Sequence, residues 1–340
     1  MQTKNIKKYI SAVILSAILL LSGLETKAQN SRLTMHKPAR NLVTQERIER
    51  ETAFLADSIC QGRATGTRGS VEAAFWIADK FKAAGLLKLG EGWGQSLTTE
   101  NGTIGHNIIG LLPGSAKVHP DRYIIVGAHY DHLGMAGKRL YPGADANASG
   151  VVAMTSVAEM LSITRSIGRS YNCNIIFAAF DAKEMNMEGS KRLWDAIAAG
   201  ELTDPVSGNP ITRNKIVFMV NIDQIGSSLA PLNKGREDYM IMLGNPNLKR
   251  SYNDMLKVCN DSYDIGLDLG FTYYGSDNFT KLFYRLSDQN VFAEHRIPAF
   301  MFTSGITMNT NKSRDTVANL NIEVLQKRIY LIYHWLEKML

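Results

Sequence analysis

Four side chains able to ligate a metal, His129 in AHYDHLG, Asp145 in PGADANASG, Glu184 in FDAKEMNMEGS and Asp223 in VNIDQIG, each end or follow an apolar run or sit in a glycine-rich loop. One imidazole with several carboxylates is a donor set for divalent metals; paired ions about 3.5–4 Å apart polarise a carbonyl oxygen and activate water. Mixed imidazole and carboxylate donors suit zinc. Each residue alone has an ordinary structural use, as a buried histidine, a helix cap or a turn former, so the argument rests on all four occurring together. Lys183 stands directly before Glu184, and Thr310 and Asn311 lie further on in TNKSRDT.

The elements that must position these residues alternate. Thr44 to Ile59 and Ser70 to Gly85 read as amphipathic helices, the second with Ser70 as N-cap. Strand-like runs HNIIGLL, RYIIVGAH, CNIIFAAFD and KIVFMVNID then alternate with helices from about Ala148 and Glu188, and Ile322, Leu325, Ile329, Ile332 and Leu336 form a closing helical stripe. Continuous apolar strands between helices imply a three-layer α/β sandwich around a mostly parallel mixed sheet. In such sheets ligands bind beyond the carboxyl ends of the strands, where His129, Glu184 and Asp223 fall.

With 340 residues, 45% hydrophobic and 21% charged, the composition is that of an ordinary globular protein. Lys4, Lys7, Lys8 and Lys27 against Glu25 place +3 of the net +6 in the first 28 residues, leaving +3 for the rest and no electrostatic case for nucleic acid. Those residues show the pattern of a secretory signal: basic start, apolar run Tyr9 to Leu21, and cleavage after Ala28. Residues 1–28 are therefore expected to be a signal peptide and 29–340 one α/β domain, exported to the periplasm or secreted, with no membrane attachment after cleavage. Three cysteines, Cys60, Cys173 and Cys259, allow at most one disulfide, and Cys173 reads as a buried core residue.

Taken together, the metal-type segments resemble metallopeptidase family twenty-eight, the zinc exopeptidases that include bacterial leucine aminopeptidases and glutaminyl cyclases. GRATGTRGS at 62–70, NIIGLLPGS at 107–115, SDQNVFAEHRIPAFMFTSG at 287–305 and the pair Asp315-Thr316 share the likeness. The resemblance implies a zinc-exopeptidase-like fold, a peptide or amino-acid substrate and removal of its N-terminal residue at a two-zinc centre. It makes His129 and Asp223 terminal ligands of one zinc, Asp145 the bridging carboxylate, Glu184 a ligand of the second zinc and Asp131 the carboxylate behind His129. In four places the chain departs from the family: Lys183 holds the general-base position, Ala146 follows the bridging residue in place of an acid, Thr310 holds the oxyanion-donor position and Asn311 the last ligand position.

A lysine of ordinary pKa, about 10.4, is protonated at neutral pH and cannot act as a base unless strongly depressed. Alternatively its ammonium stands in for a missing ion and pairs with Glu184 and Asp145. Asp181, His132 and Glu188 are nearby substitutes for the base. Three readings follow: a hydrolase with a variant centre holding one or two zinc ions, a non-catalytic binder of a peptide N-terminus or amino acid, and a structural or cell-envelope interaction protein. The cyclase branch fits less well, because its single zinc uses the positions of Asp145, Glu184 and the lost histidine. The segment 226–284, with SLAPL, YMIML and GFTYYG, supplies either pocket walls or core.

Overall fold

Apolar residues at nearly every position of NIIFAAF and YIIVGAH mean that neither strand has a face to show to water, and all fourteen residues are buried. Such strands require a cover on both sides. The computed structural model describes residues 36–340 except 116, 229–235, 245–249 and 274. The expected signal peptide lies outside the described residues.

In chain order the helices are α1 (Gln45–Ala56), α2 (Arg68–Ala83), α3 (Gly150–Ser166), α4 (Glu188–Ala199), α5 (Ser251–Ser262), α6 (Asp277–Tyr284), α7 (Gln289–Glu294) and α8 (Ile322–Met339). The strands are β1 (Leu87–Lys88), β2 (Gly94–Thr98), β3 (Ile104–Leu112), β4 (Tyr123–His129), β5 (Gly134–Ala136), β6 (Arg139–Tyr141), β7 (Asn174–Phe180), β8 (Ile216–Ile222), β9 (Tyr239–Gly244), β10 (Asp268–Gly270) and β11 (Ala299–Thr303). The main sheet runs β1-β3-β7-β4-β8-β11-β9-β10, with β2 on β3. Its centre, β7-β4-β8-β11, is parallel; β3 and β9 join it antiparallel.

Alternate residues of β4 enter different cores. Ile124, Val126 and Ala128 pack with apolar residues of α1, α2, α3, α5 and α8 on one face. Tyr123 and Ile125 pack with those of α4 and α7 on the other. The fold is thus a three-layer α/β sandwich. Among the described residues no helix is long and apolar enough to cross a membrane.

Local chemistry corrects some boundaries. Thr44 caps α1, accepting from Arg47 N, but α1 stops at Ala56 and a 3-10 turn covers Ser58–Arg63. The cap of α2 is Thr67, which accepts from Ser70 N, so the expected cap Ser70 lies inside the first turn. YMIML forms β9 and is buried core, not pocket wall, whereas most of SLAPL lies outside the described residues. The three cysteines are free and buried.

Arg63, fully buried, ties the sheet edge to the loop ahead of α3. Its guanidinium donates to the carbonyls of Tyr130 (2.8 Å), Pro142 (2.8 Å), Gly143 (2.9 Å) and Leu55. Replacing it leaves four buried carbonyls unmatched, each worth about 1–3 kcal/mol if water cannot reach it. Arg63→Met is expected to lower the unfolding free energy by at least about 3 kcal/mol in urea denaturation; a loss within about 0.5 kcal/mol, typical of a surface substitution, would show that solvent replaces the guanidinium.

Candidate metal-binding cleft

Parallel pairing of β7, β4 and β8 brings three strand ends to one edge. His129 is the last residue of β4 and pairs with Phe180 at the end of β7, while Asp223 follows β8 directly. His129 Nδ1 lies 3.1 Å from the backbone oxygen of Asp131 and 3.5 Å from its carboxylate, and Nε2 lies 3.3 Å from Asp223 Oδ1. Ser287 Oγ donates to the other Asp223 oxygen at 2.6 Å and in turn accepts from Asn221 Nδ2 at 2.8 Å. All of these groups are buried.

Asp131 places the next pair of residues. Its Oδ1 accepts from Lys183 N and its Oδ2 from Glu184 N, each at 3.0 Å, so one carboxylate fixes the loop after β7 beside His129. Within that loop Lys183 Nζ lies 2.9 Å from Glu184 Oε1. Burial opposes the lysine's charge, but Asp223, Glu184 and Asp131 outweigh it and raise the pKa above that of a free lysine. Lys183 is therefore an ammonium.

Burial alone would lower His129, yet Asp223 foremost, with Asp131, lifts it to about 10 against the opposing charge of Lys183. Burial would raise Asp223; the His129 charge and hydrogen bond, Lys183 and Ser287 instead hold its carboxyl well below the usual range.

Asp145 is held by one of its two oxygens, and the other, Oδ2, is buried without a hydrogen-bond partner among the described residues. Its Oδ1 accepts from Gly226 N (2.7 Å) and Ser149 Oγ (3.2 Å), and Arg328 supplies a nearby positive charge. Neither a hydrogen bond nor an ion pair joins it to His129, Asp223 or Lys183 among the described residues. No three histidine, cysteine, aspartate or glutamate donor atoms of this region lie within 4.8 Å of one another. The loop bearing Asp145 is braced by Asp315, whose carboxylate accepts from Asp145 N (2.8 Å) and Ala146 N (3.0 Å). Asn147 ties it to the strand ends, donating to Ile222 O (2.9 Å) and His129 O (3.3 Å) and accepting from Gln224 N (3.0 Å). Gly150 is required here, because a Cβ would collide with Ile222 O and the Asn147 amide where α3 meets β8.

Thr310 Oγ1 donates to Gln224 Oε1 at 2.9 Å and accepts from Thr307 N at 2.9 Å, so its proton is spent. Asn311 is exposed in a turn at φ 59°. Of the substitute bases, Asp181 accepts from Thr65, His106 N and Ala182 N, and Glu188 pairs with Lys191 at 2.9 Å. His132 is buried with both ring nitrogens unpartnered among the described residues, and burial with the positive charges of Arg63, His129 and Lys183 keeps it neutral. The structural roles of Arg63, Asn147, Ser287 and Asp288 were not visible to sequence reasoning; for Ser287 and Asp288 the only signal was their place in the SDQNVF segment.

The 3.3 Å His129–Asp223 contact is an ion pair; two zinc ligands about 2.1 Å from the ion are spaced by about 3.4 Å, so zinc would take this place by displacing the His129 proton. Glu184 is ion-paired with Lys183 through Oε1, and Asn311 is exposed.

A mostly parallel mixed sheet with an imidazole and carboxylates at the carboxyl edge of its central strands defines the class: a three-layer α/β sandwich with metal-type donors at the strand ends. The family model described as Peptidase family M28 matches residues 107–336, and the chain belongs to that family. Its fold is similar to the LapA aminopeptidase of Legionella pneumophila (18% identity, TM-score 0.65, covering 88% of this chain and 73% of that one). Similar too are a zinc aminopeptidase of Bacillus subtilis (15%, 0.63, 87% and 95%) and the glutaminyl cyclase of Fimbriiglobus ruber (16%, 0.64, 87% and 95%). No curated protein matches the sequence.

Asp288, fully buried beside this cleft, has its carboxyl pushed up to about 6 by burial, against His129, Ser190 and Lys183. A carboxyl whose folded pKa exceeds its unfolded value destabilises the fold once ionised, increasingly as pH rises from about 4 through about 6. Asp288→Asn is thus expected to stabilise the protein by up to about 3 kcal/mol at pH 8 and by nothing at pH 4. Equal effects at both pH values in urea titrations would contradict this.

Proposed function

We propose that this chain is an exported M28 protein that binds the N-terminal residue of a peptide, or a free amino acid, in a zinc-bearing cleft and hydrolyses it slowly or not at all. On this reading residues 1–28 are a cleaved signal and 29–340 form one domain. The observation that carries the reading is the ion pair of Lys183 and Glu184. The family reaction needs a base at the first position and a free ligand at the second; here the first is a fixed cation and the second is its partner.

His129 and Asp223 hold the zinc, and Asp131 orients the imidazole. Bound there, zinc supplies Lewis-acid polarisation of a carbonyl oxygen, worth several kcal/mol in the family's chemistry. The protein's own groups do the rest. Lys183 balances the charge of Glu184 and Asp223, the role of a second ion, and has no lone pair to accept a proton. Thr310 is committed to Gln224 and Thr307. A general base contributes about 10²- to 10⁴-fold and an oxyanion donor about a further 10²- to 10³-fold, so the loss of both removes most of the rate.

The test is restoration. Wild-type protein, signal removed and loaded with zinc, is expected to show slow or undetectable turnover of leucine p-nitroanilide, while A146D/K183E/N311H exceeds the wild-type rate, or the detection limit, by at least about 100-fold, the lower end of a general base's worth. Wild-type turnover as fast as that of the triple variant, or a folded triple variant without gain, contradicts the proposal.

His132 supports the competing reading of a working variant centre, because it is a neutral imidazole that feels the charge of His129 and has both ring nitrogens unpartnered among the described residues. Should wild-type turnover be found, that reading expects His132→Gln to abolish it and Lys183→Met to spare it. The reverse pattern would remove His132 from the chemistry.

A further inference from the structure

A second group of metal-type donors lies apart from the cleft, in the helical layer. His334 and Glu337, one turn apart on α8, meet His36, which lies in a helical segment over residues 36–41. One donor atom from each lies within 4.8 Å of the other two. All three side chains are buried, at 1% exposure for His36, 0% for His334 and 3% for Glu337.

The hydrogen bonds determine which ring nitrogen of His36 carries the proton. Thr164 Oγ1 donates its only proton to Met160 O at 2.5 Å. It must then accept from Tyr333, 2.7 Å away, which spends the phenol proton. Tyr333 can therefore only accept from His36 Nδ1, at 2.9 Å. Neutral His36 is thus protonated on Nδ1 and turns the lone pair of Nε2 toward Glu337 Oε2, 3.5 Å away. Two buried acceptors then face one another, a place suited to a cation.

A shared proton is the poor solution. A charge-assisted N–H···O contact closes to about 2.7–2.9 Å, and 3.5 Å is too wide. The gap matches instead the spacing of about 3.4 Å between two ligands of tetrahedral zinc. His334 adds an independent sign: both of its ring nitrogens are buried without a hydrogen-bond partner among the described residues. Its ring stacks on Tyr263 at 3.5 Å and stands edge-on to His36 at 5.0 Å. Unmatched buried imidazole nitrogens cost free energy unless something fills them. Burial also drives both imidazoles toward the neutral form that ligates metals.

We propose that His36 Nε2, a ring nitrogen of His334 and the Glu337 carboxylate bind a structural zinc ion, separate from the one at His129 and Asp223. Tyr333 orients the His36 ring from the other nitrogen, as outer partners of ligating histidines commonly do. Arg169 Nε, 2.9 Å from Glu337 Oε1, holds the remaining carboxylate oxygen. Two imidazoles exclude calcium and magnesium, which take oxygen donors. Three protein ligands leave one tetrahedral position to a water. The ion clips the start of the described chain to its last helix, joining residues 297 apart in sequence.

The test uses the full signal-free chain with Asp223→Asn, which weakens the cleft site, and reads zinc content after dialysis and the thermal midpoint with and without zinc. The D223N protein is expected to retain one zinc per chain and to melt higher with zinc, while D223N/H334N retains none and does not respond. Loss of all zinc from D223N, or retention by D223N/H334N, overturns the proposal. If D223N/H334N does not fold, D223N/E337Q replaces it: zinc affinity must fall by more than about 100-fold, beyond the loss of an outer-shell partner, and a smaller fall counts against the site. Neither readout depends on peptide cleavage, so this proposal and the proposed function fail independently.

Discussion

The carboxylate of Asp131 is where the two halves of the cleft are joined. It stands beside His129 at the end of β4 and receives the two successive backbone N–H groups of Lys183 and Glu184 beyond β7. A carboxylate accepting backbone hydrogen bonds in a buried site fixes both loops at once. Whatever occupies positions 183 and 184 is thereby delivered to the edge where His129 and Asp223 meet. In this chain the delivered groups are an ammonium and its carboxylate partner, and the electrostatics of the cleft follow from them. Asp223, Glu184 and Asp131 hold Lys183 charged.

The rest of the architecture supplies the edge. Parallel strands buried on both faces bring His129 and Asp223 together from residues 94 apart, and the buried guanidiniums of Arg63 and Arg328 satisfy the loop carbonyls that such convergence strands. Arg328 donates to Ile225 O (2.6 Å), Ser227 O (2.8 Å) and Tyr239 O (2.7 Å), which holds the segment after β8 against α8. Asp145 belongs to this supporting network through Gly226 N and Ser149.

What was legible in the sequence was what is local or periodic. Apolar runs placed β3, β4, β7 and β8 to within a few residues, and strand-end positions put His129, Glu184 and Asp223 at one edge; that His129 pairs with Asp223 was implied by the family resemblance. The cap of α2 was misread because Thr67 and Ser70 are both competent, and only the backbone angle at Thr67 decides. The orientation of Asp145 was not legible at all: a buried carboxylate chooses among acceptors of similar energy, and Gly226 N is 81 residues away in sequence. The same holds for His36 and His334, ordinary histidines in sequence that become a donor group only when α8 packs against residues 36–41.

The central claim is that Lys183 occupies the place of the family's second ion. Crystals of the zinc-loaded, signal-free protein, measured at the zinc absorption edge, test it directly. The account predicts one anomalous peak between His129 and Asp223, with Lys183 Nζ beside Glu184 and no peak there. Two peaks about 3.5–4 Å apart in the cleft, with Lys183 displaced from Glu184, would contradict it.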